Sequence, residues 1–214
     1  MRPKGPVVVL LIQGFLIIEI VTGLATAQWM PLFVAATTLA LTLLPHRFAR
    51  FFGLELPHSV LTAIVAFLFA TLFLGEVENF YERFWWWDLL LHFFSALSIA
   101  AMAFLMIFML FEGDRYAAPP SALAVLSGAV ALAIGALWEI FEYGMDQLFG
   151  MNMQKSGLDD TMTDLMIDLA GAALGALSGY LFLKGRQFGG MGGIMAEFVA
   201  LNRSWYRKLR KRVE

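Results

Sequence analysis

The sequence predicts an all-α, polytopic membrane protein: a bundle of about six transmembrane helices with a C-terminal amphipathic helix at the membrane interface. Three observations predict it. Of 214 residues, 60% are hydrophobic and 15% are charged. The apolar residues fall in runs long enough to cross ~30 Å of hydrocarbon. The cations are lopsided, with eight of the 15 Lys and Arg after residue 183. Backbone groups in lipid must bond within their own segment, which leaves helices; the alternating ten-residue segments of a barrel are absent. Cysteine is absent too, which removes disulfides, thiolate ligands and a cysteine nucleophile.

The first span is read at 6–26, directly after Arg2 and Lys4. It has no evident small-residue cleavage site, so it is expected to stay as a helix. Its Gln13 and Glu19 are expected to bond a neighbouring helix. The second span, 29–44, is the shortest, and the third covers 58–75. Glu76, Glu78 and Glu82 then read as a solvated turn, and Asn79, Tyr81 and Trp85, Trp86 and Trp87 as interfacial anchors. The fourth span is read at 87–111, the fifth at 121–146 and the sixth at 161–183. Residues 1–186 thus form a transmembrane domain. Residues 187–214 form a hinge at Gly189, Gly190, Gly192 and Gly193 and a basic cytoplasmic tail. In the tail Ile194, Phe198, Leu201, Trp205 and Leu209 recur at helical spacing among Arg203, Arg207, Lys208, Arg210, Lys211 and Arg212. That pattern suits a helix lying on anionic lipid head groups.

The loops set the expected orientation. Six crossings put both termini on one side with Arg47, Arg50 and Arg115; the other side holds Arg83 and Lys155 among Glu76, Glu78, Glu82, Asp159 and Asp160. By the positive-inside rule both termini are cytoplasmic.

Against this apolar background seven ionisable residues sit inside the last three spans: Asp88, His92, Glu139, Glu142, Asp146, Asp164 and Asp168. An ionisable group in hydrocarbon costs roughly 2.5–3.5 kcal/mol even on lenient insertion scales, so seven of them require a shared explanation. Orientation brings them to one half of the bilayer: the first turns of the fourth and sixth spans and the last turns of the fifth. Helical phase brings them to one interior. Asp160, Asp164 and Asp168 share a stripe with Gly171, Gly175 and Gly179, and four-residue spacing of small residues marks close helix contact. On the fifth span Gly128, Gly135, Glu139, Glu142 and Asp146 align; on the fourth, Asp88, His92 and Ser95 do.

Clustered carboxylates do not all stay ionised at short range without a cation. Either a divalent metal ion balances them, or protons do, in a relay or a structural network. Carboxylates and a histidine on facing helices are a known way to hold a divalent metal. The Glu-x-x-His pair of the di-iron bundles is missing. In the metal reading the ligands are Asp88, His92, Glu139, Asp160 and Asp164; Asp146 and Asp168 stand behind them; Glu142, with His92, carries proton transfer.

Three motifs carry a family resemblance. Trp87-Asp88-Leu89-Leu90-Leu91-His92-Phe93, Trp138-Glu139-Ile140-Phe141-Glu142-Tyr143, and Asp160-Thr161-Met162-Thr163-Asp164 leading to Gly171-Ala172 resemble the bacterial YjdF-like integral membrane proteins, an uncharacterised family. The resemblance covers roughly 76–180. A looser one is to VanZ-like proteins, which points to the cell surface. By position, Asp88, His92, Glu139, Glu142, Asp160 and Asp164 carry over; the loop 147–159 departs from the family's Gly-, Gln- and Trp-rich stretch. The resemblance implies a multi-pass protein of the bacterial cytoplasmic (inner) membrane and no particular activity.

The functional expectation is a metal-dependent hydrolase or transferase acting on an outer-leaflet lipid or lipid-linked head group. The alternatives are a cation- or proton-coupled transporter and a non-catalytic metal-binding membrane protein. The chain has neither the internal repeat nor the broken helix that transporters often show. No nucleic-acid partner is expected, and the oligomeric state is left open.

Overall fold

The computed structural model describes residues 5–111, 118–186 and 190–213. Among them there is no strand. Eight helices follow one another: α1 (Gly5–Thr26), α2 (Trp29–Phe51), α3 (His58–Leu68, continued by wider π-helical turns over Phe69–Val77), the single turn α4 (Phe80–Arg83), α5 (Trp87–Phe111), α6 (Pro120–Phe149), α7 (Leu158–Leu183) and α8 (Met191–Val213). Six are long and apolar enough to cross a membrane: α1, α2, α3 with its π-helical continuation, α5, α6 and α7. The chain is a helical membrane bundle.

Three boundaries differ from the sequence reading. α2 does not stop at residue 44 but runs through Pro45 to Phe51. A proline removes one helical hydrogen bond without ending the helix. Beyond it Ala49 is buried and Arg50 lies in the last turn, where a cation suits the helix dipole. α6 runs three residues past 146, to Phe149, and is capped by Gly150, whose φ of 65° is the left-handed conformation that closes helices. α7 begins three residues earlier than 161, with Asp159 and Asp160 in its first turn, where carboxylates face the positive end of the helix.

The chain forms two compact units, residues 1–85 with 196–214 and residues 86–195. In the first, Leu16, Ala35 and Phe73 form a buried core. Phe69 and Phe73 stack at 5.5 Å, and Phe15 meets both edge-on. Gln13 Nε2 donates to Thr42 Oγ1 on α2 at 3.1 Å, so it bonds a neighbouring helix as expected. Glu76, Glu78 and Glu82 are exposed.

α8 corrects the reading of the tail. Gly192 and Gly193 belong to its first turn, Gly190 precedes it, and Gly189 lies outside the described residues. The buried stripe is Met195, Phe198 and Asn202. Leu201, read as part of the apolar face, is 39% exposed, and a polar residue stands in the buried register. Asn202 Oδ1 accepts the Glu55 backbone N–H, and its amide donates to the Glu55 and Phe198 carbonyls, each at 2.8 Å. The side chains of Trp205, Leu209 and the basic residues from Arg207 onward lie outside the described residues, as do Arg2, Lys4 and Arg115. Asn202→Ala leaves the Glu55 amide without its partner, at a cost of about 1–3 kcal/mol. Hydrogen exchange at Glu55 should accelerate; unchanged protection there would contradict the clamp.

The second unit is the bundle of α5, α6 and α7. α7 approaches α5 at backbone distance because Gly171, Gly175 and Gly179 have no side chain: a Cβ there would run into the Phe93 carbonyl, the Leu97 carbonyl and the Phe104 ring respectively. Ala96, Ala100, Ala131 and Ala172 form the common core of the three helices. Gly128 seats α6 against α7, where a Cβ would lie 3.7 Å from Ala176 Cβ. Large apolar side chains point outward instead: Leu137 and Ile140 are 64% and 65% exposed, whereas Glu139 between them is 4% exposed. That inversion of a soluble protein's pattern is what a helix with lipid outside and a polar interior requires.

Candidate metal centre

α5 and α7 start at the end of this bundle where α6 finishes, and the acidic residues converge there. The hub is His92, 8% exposed at its side chain. Its Nδ1 lies 3.3 Å from Asp168 Oδ1 on α7. Its Nε2 lies 3.8 Å from Glu139 Oε1 on α6 and 3.9 Å from Asp88 Oδ1 one turn earlier on α5. A carboxylate accepts from Nδ1 only when that nitrogen carries the proton. With Nδ1 as the donor to Asp168, Nε2 is the nitrogen that faces Glu139 and Asp88.

The Asp168 carboxylate sits in a notch on α6. A Cβ added at Gly135 would overlap Asp168 Oδ2, so glycine at that position makes room for the acid that orients the histidine.

Two groups of donor atoms are close enough to share a cation. His92, Glu139 and Asp164 are all buried, and one atom from each lies within 4.8 Å of the others. Asp88, Asp160 and Asp164 meet the same limit and are more open to solvent. Asp164 belongs to both. Donors around one divalent ion at ~2.1 Å stand ~3–4 Å apart, so small side-chain rotations close either set. Asp168 Oδ2 is buried without a hydrogen-bond partner, and both Glu139 oxygens are buried with only the Thr161 hydroxyl as a hydrogen-bonding neighbour. Buried polar atoms are almost always satisfied, and an uncompensated buried carboxylate is strongly unfavourable.

Of the expected residues, Asp88, His92, Glu139, Asp160 and Asp164 are thus brought together, and Asp168, placed by helical phase alone, is the acid nearest the histidine. Glu142 is buried one turn beyond Glu139 and stands outside both groups; its Oε1 accepts the Trp138 indole N–H at 3.0 Å. Asp146 is turned to another task. Its two oxygens accept the backbone N–H groups of Met153 and Gln154, at 2.7 and 2.9 Å, and so fold the α6–α7 loop. Gln154 in turn donates to Thr161 Oγ1 at 2.6 Å.

That loop supplies the residue the sequence reading left outside. Lys155 Nζ lies 3.8 Å from Asp88 Oδ2. Its signal was present, as the one Lys or Arg between α6 and α7, but its direction depends on Asp146 curling the loop back over the helix ends.

The class is therefore a multi-pass helical membrane protein with a carboxylate–histidine cluster enclosed at one end of a three-helix unit. The chain belongs to the family described as "Predicted membrane protein (DUF2238)", whose model matches residues 7–185. This bears out the resemblance to YjdF-like membrane proteins; the looser likeness to VanZ-like proteins has no counterpart in these matches. An uncharacterised protein of Thermotoga maritima is 28% identical over 144 residues, covering 67% of this chain and 73% of that one. No solved structure matches.

Proposed function

We propose that this protein holds a divalent metal ion at His92, Glu139 and Asp164 and uses it to act on the phosphate-bearing head group of a membrane lipid or lipid-linked substrate. One observation carries the reading: Glu139 presents a buried carboxyl group, with the Thr161 hydroxyl as its one hydrogen-bonding neighbour, to the Nε2 edge of a histidine whose other nitrogen faces Asp168. An imidazole with carboxylates suits Zn²⁺, Mn²⁺ or Fe²⁺. A metal so held would supply Lewis-acid polarisation to a phosphoryl oxygen and would make nearby water more acidic. His92 binds, Asp168 keeps the ring in the ligating tautomer, and Glu142, one helical turn along α6, receives the proton from the attacking water. The site's position within the first turns of α5 and α7 gives it access from one membrane face. The Lys and Arg bias of the loops supports reading that as the outer face of the bacterial inner membrane, with both termini and the basic α8 on the cytoplasmic side.

Purified protein loaded with Mn²⁺ or Zn²⁺ and incubated with vesicles of native membrane lipid is expected to release a phosphate-containing head group, followed by mass spectrometry. Glu142→Gln should abolish release while leaving bound metal unchanged. Metal-loaded protein that alters no lipid in the extract would overturn the enzyme reading and leave a binding protein.

The orienting role of Asp168 has its own consequence. Loss of such a partner typically weakens metal binding ~10–100-fold, so Asp168→Asn should shift the Mn²⁺ titration by that factor. An unchanged titration would show that Asp168 serves packing alone.

A further inference from the structure

The second donor group, Asp88, Asp160 and Asp164, stands at the more open side of the cluster, and the loop above it carries a cation. That loop is built, not incidental. Gly150 at φ 65° and Gly157 at φ 68° reverse the chain at its two ends, and Asp146 accepts the amides of Met153 and Gln154. Gln154 ties to Thr161 on α7. The next residue is Lys155, and its ammonium reaches Asp88 Oδ2 at 3.8 Å while the side chain stays 30% exposed. The loop is fastened on both sides of the lysine, so the ammonium is presented to the acids at the high effective concentration of a tethered ligand, about millimolar for short links.

We propose that Lys155 is the site's own competitor cation: its ammonium pairs with Asp88 at the edge of the outer group Asp88, Asp160 and Asp164, and a second divalent ion binds that group, sharing Asp164 with the first, when the ammonium withdraws. The proposal rests on the inner ion of the preceding reading and adds the control of a second one. Its warrant is chemical. An ammonium and a divalent cation cannot occupy the same three carboxylates, because both need the same oxygens and repel at contact distance. A lysine is a point charge on a flexible stem with no geometric demand of its own, so it balances Asp88 without fixing the group. Asp164 belongs to both donor groups, so its carboxylate would serve both ions, and a pair of ions held through one carboxylate could clamp both the attacking and the leaving oxygen of a phosphoryl displacement. The loop would then couple the second ion to whatever enters from the membrane face: an anionic head group that draws Lys155 away from Asp88 opens the second position as it arrives.

The test is ion stoichiometry. Detergent-purified wild type, Lys155→Met, Lys155→Arg and the double variant Lys155→Met/Asp160→Asn are dialysed against Mn²⁺, and bound ions are counted by elemental analysis. At the free Mn²⁺ that just saturates the inner site, wild type and Lys155→Arg should hold one ion per chain, Lys155→Met two, and the double variant one again; a second ion in wild type should need more Mn²⁺. One ion in wild type and one in Lys155→Met, at the same affinity, overturns the lysine's role and leaves the inner site standing. No ion in wild type and one in Lys155→Met removes the inner site and keeps the lysine's role. No ion in either removes both. If Lys155→Met does not fold, chemical labelling of Lys155 in the wild type carries the test. Mn²⁺ added beyond the first equivalent should raise acylation of Lys155 by a water-soluble ester several-fold, read by peptide mass spectrometry. Labelling that does not change overturns the proposal.

Discussion

Glu139→Gln is expected to reverse the order of stability between metal-free and metal-loaded protein. Without metal, wild-type Glu139 holds a buried carboxyl group with at most the Thr161 hydroxyl as a hydrogen-bond partner. An amide there avoids a buried charge that is costly when unpaired, so the metal-free variant should melt at the same temperature as wild type or above it. With metal the order inverts. A ligand at about 100 times its dissociation constant stabilises by about 2.7 kcal/mol, which for a chain of this size is on the order of 5–10 °C. Wild type should gain that shift and Glu139→Gln should lose nearly all of it. Melting in detergent with and without Mn²⁺ checks both halves. A purely structural network predicts the opposite in the metal-free state: the variant would melt lower, because it would lose a contact already made.

Gly175→Ala is expected to be among the most damaging single-methyl additions in the second unit. The new Cβ would meet the Leu97 carbonyl, with Ala100 Cβ at 2.8 Å and the Ala101 nitrogen at 3.2 Å. Two of those neighbours are backbone, which cannot rotate away, so α5 and α7 would have to separate. Overpacking of this kind costs about 1–3 kcal/mol and occasionally more. The same separation would widen the gap between His92 on α5 and Asp164 and Asp168 on α7, so metal affinity should fall with stability. Gly144→Ala on α6 is the control, since nothing lies within 4 Å of its added Cβ. There the better helix propensity of alanine should leave stability equal or raise it by about 0.5–1 kcal/mol. Equal melting points for the two variants would contradict the close α5–α7 approach.

Much of this was legible in the sequence, for a specific reason. In a membrane span the hydrophobic background is nearly uniform, so each charged residue and each glycine carries information that a soluble helix would dilute. The stripe of Asp160, Asp164, Asp168, Gly171, Gly175 and Gly179 was readable from a period of four, and the same stripe packs against α5. His92 meets acids of α6 and α7 as phase and depth required. What was hidden depended on contacts between segments remote in the chain. Asp146 shares a helical face with Glu139 and Glu142, yet its oxygens are taken by the amides of Met153 and Gln154; only the loop's fold decides that. Lys155 lay in a loop by sequence and reaches Asp88 by the same fold. Helix ends were misjudged where polar residues continue a helix, as Asp159 and Asp160 do in α7 and Arg47 and Arg50 do past Pro45 in α2. In α8 the buried Asn202, paired with the Glu55 backbone, was not legible, because a polar residue in an amphipathic pattern reads as part of the wet face.

The central claim is that the enclosed cluster is a metal centre. The most direct measurement is the metal content of the protein purified from cells grown with supplemented Mn²⁺, Zn²⁺ and iron, alongside His92→Ala and Glu139→Gln prepared in parallel. The account predicts one divalent ion per wild-type chain and its loss from both variants, with all three proteins folded. A wild type that carries no metal and gains none on titration, or variants that retain as much as wild type, would contradict it.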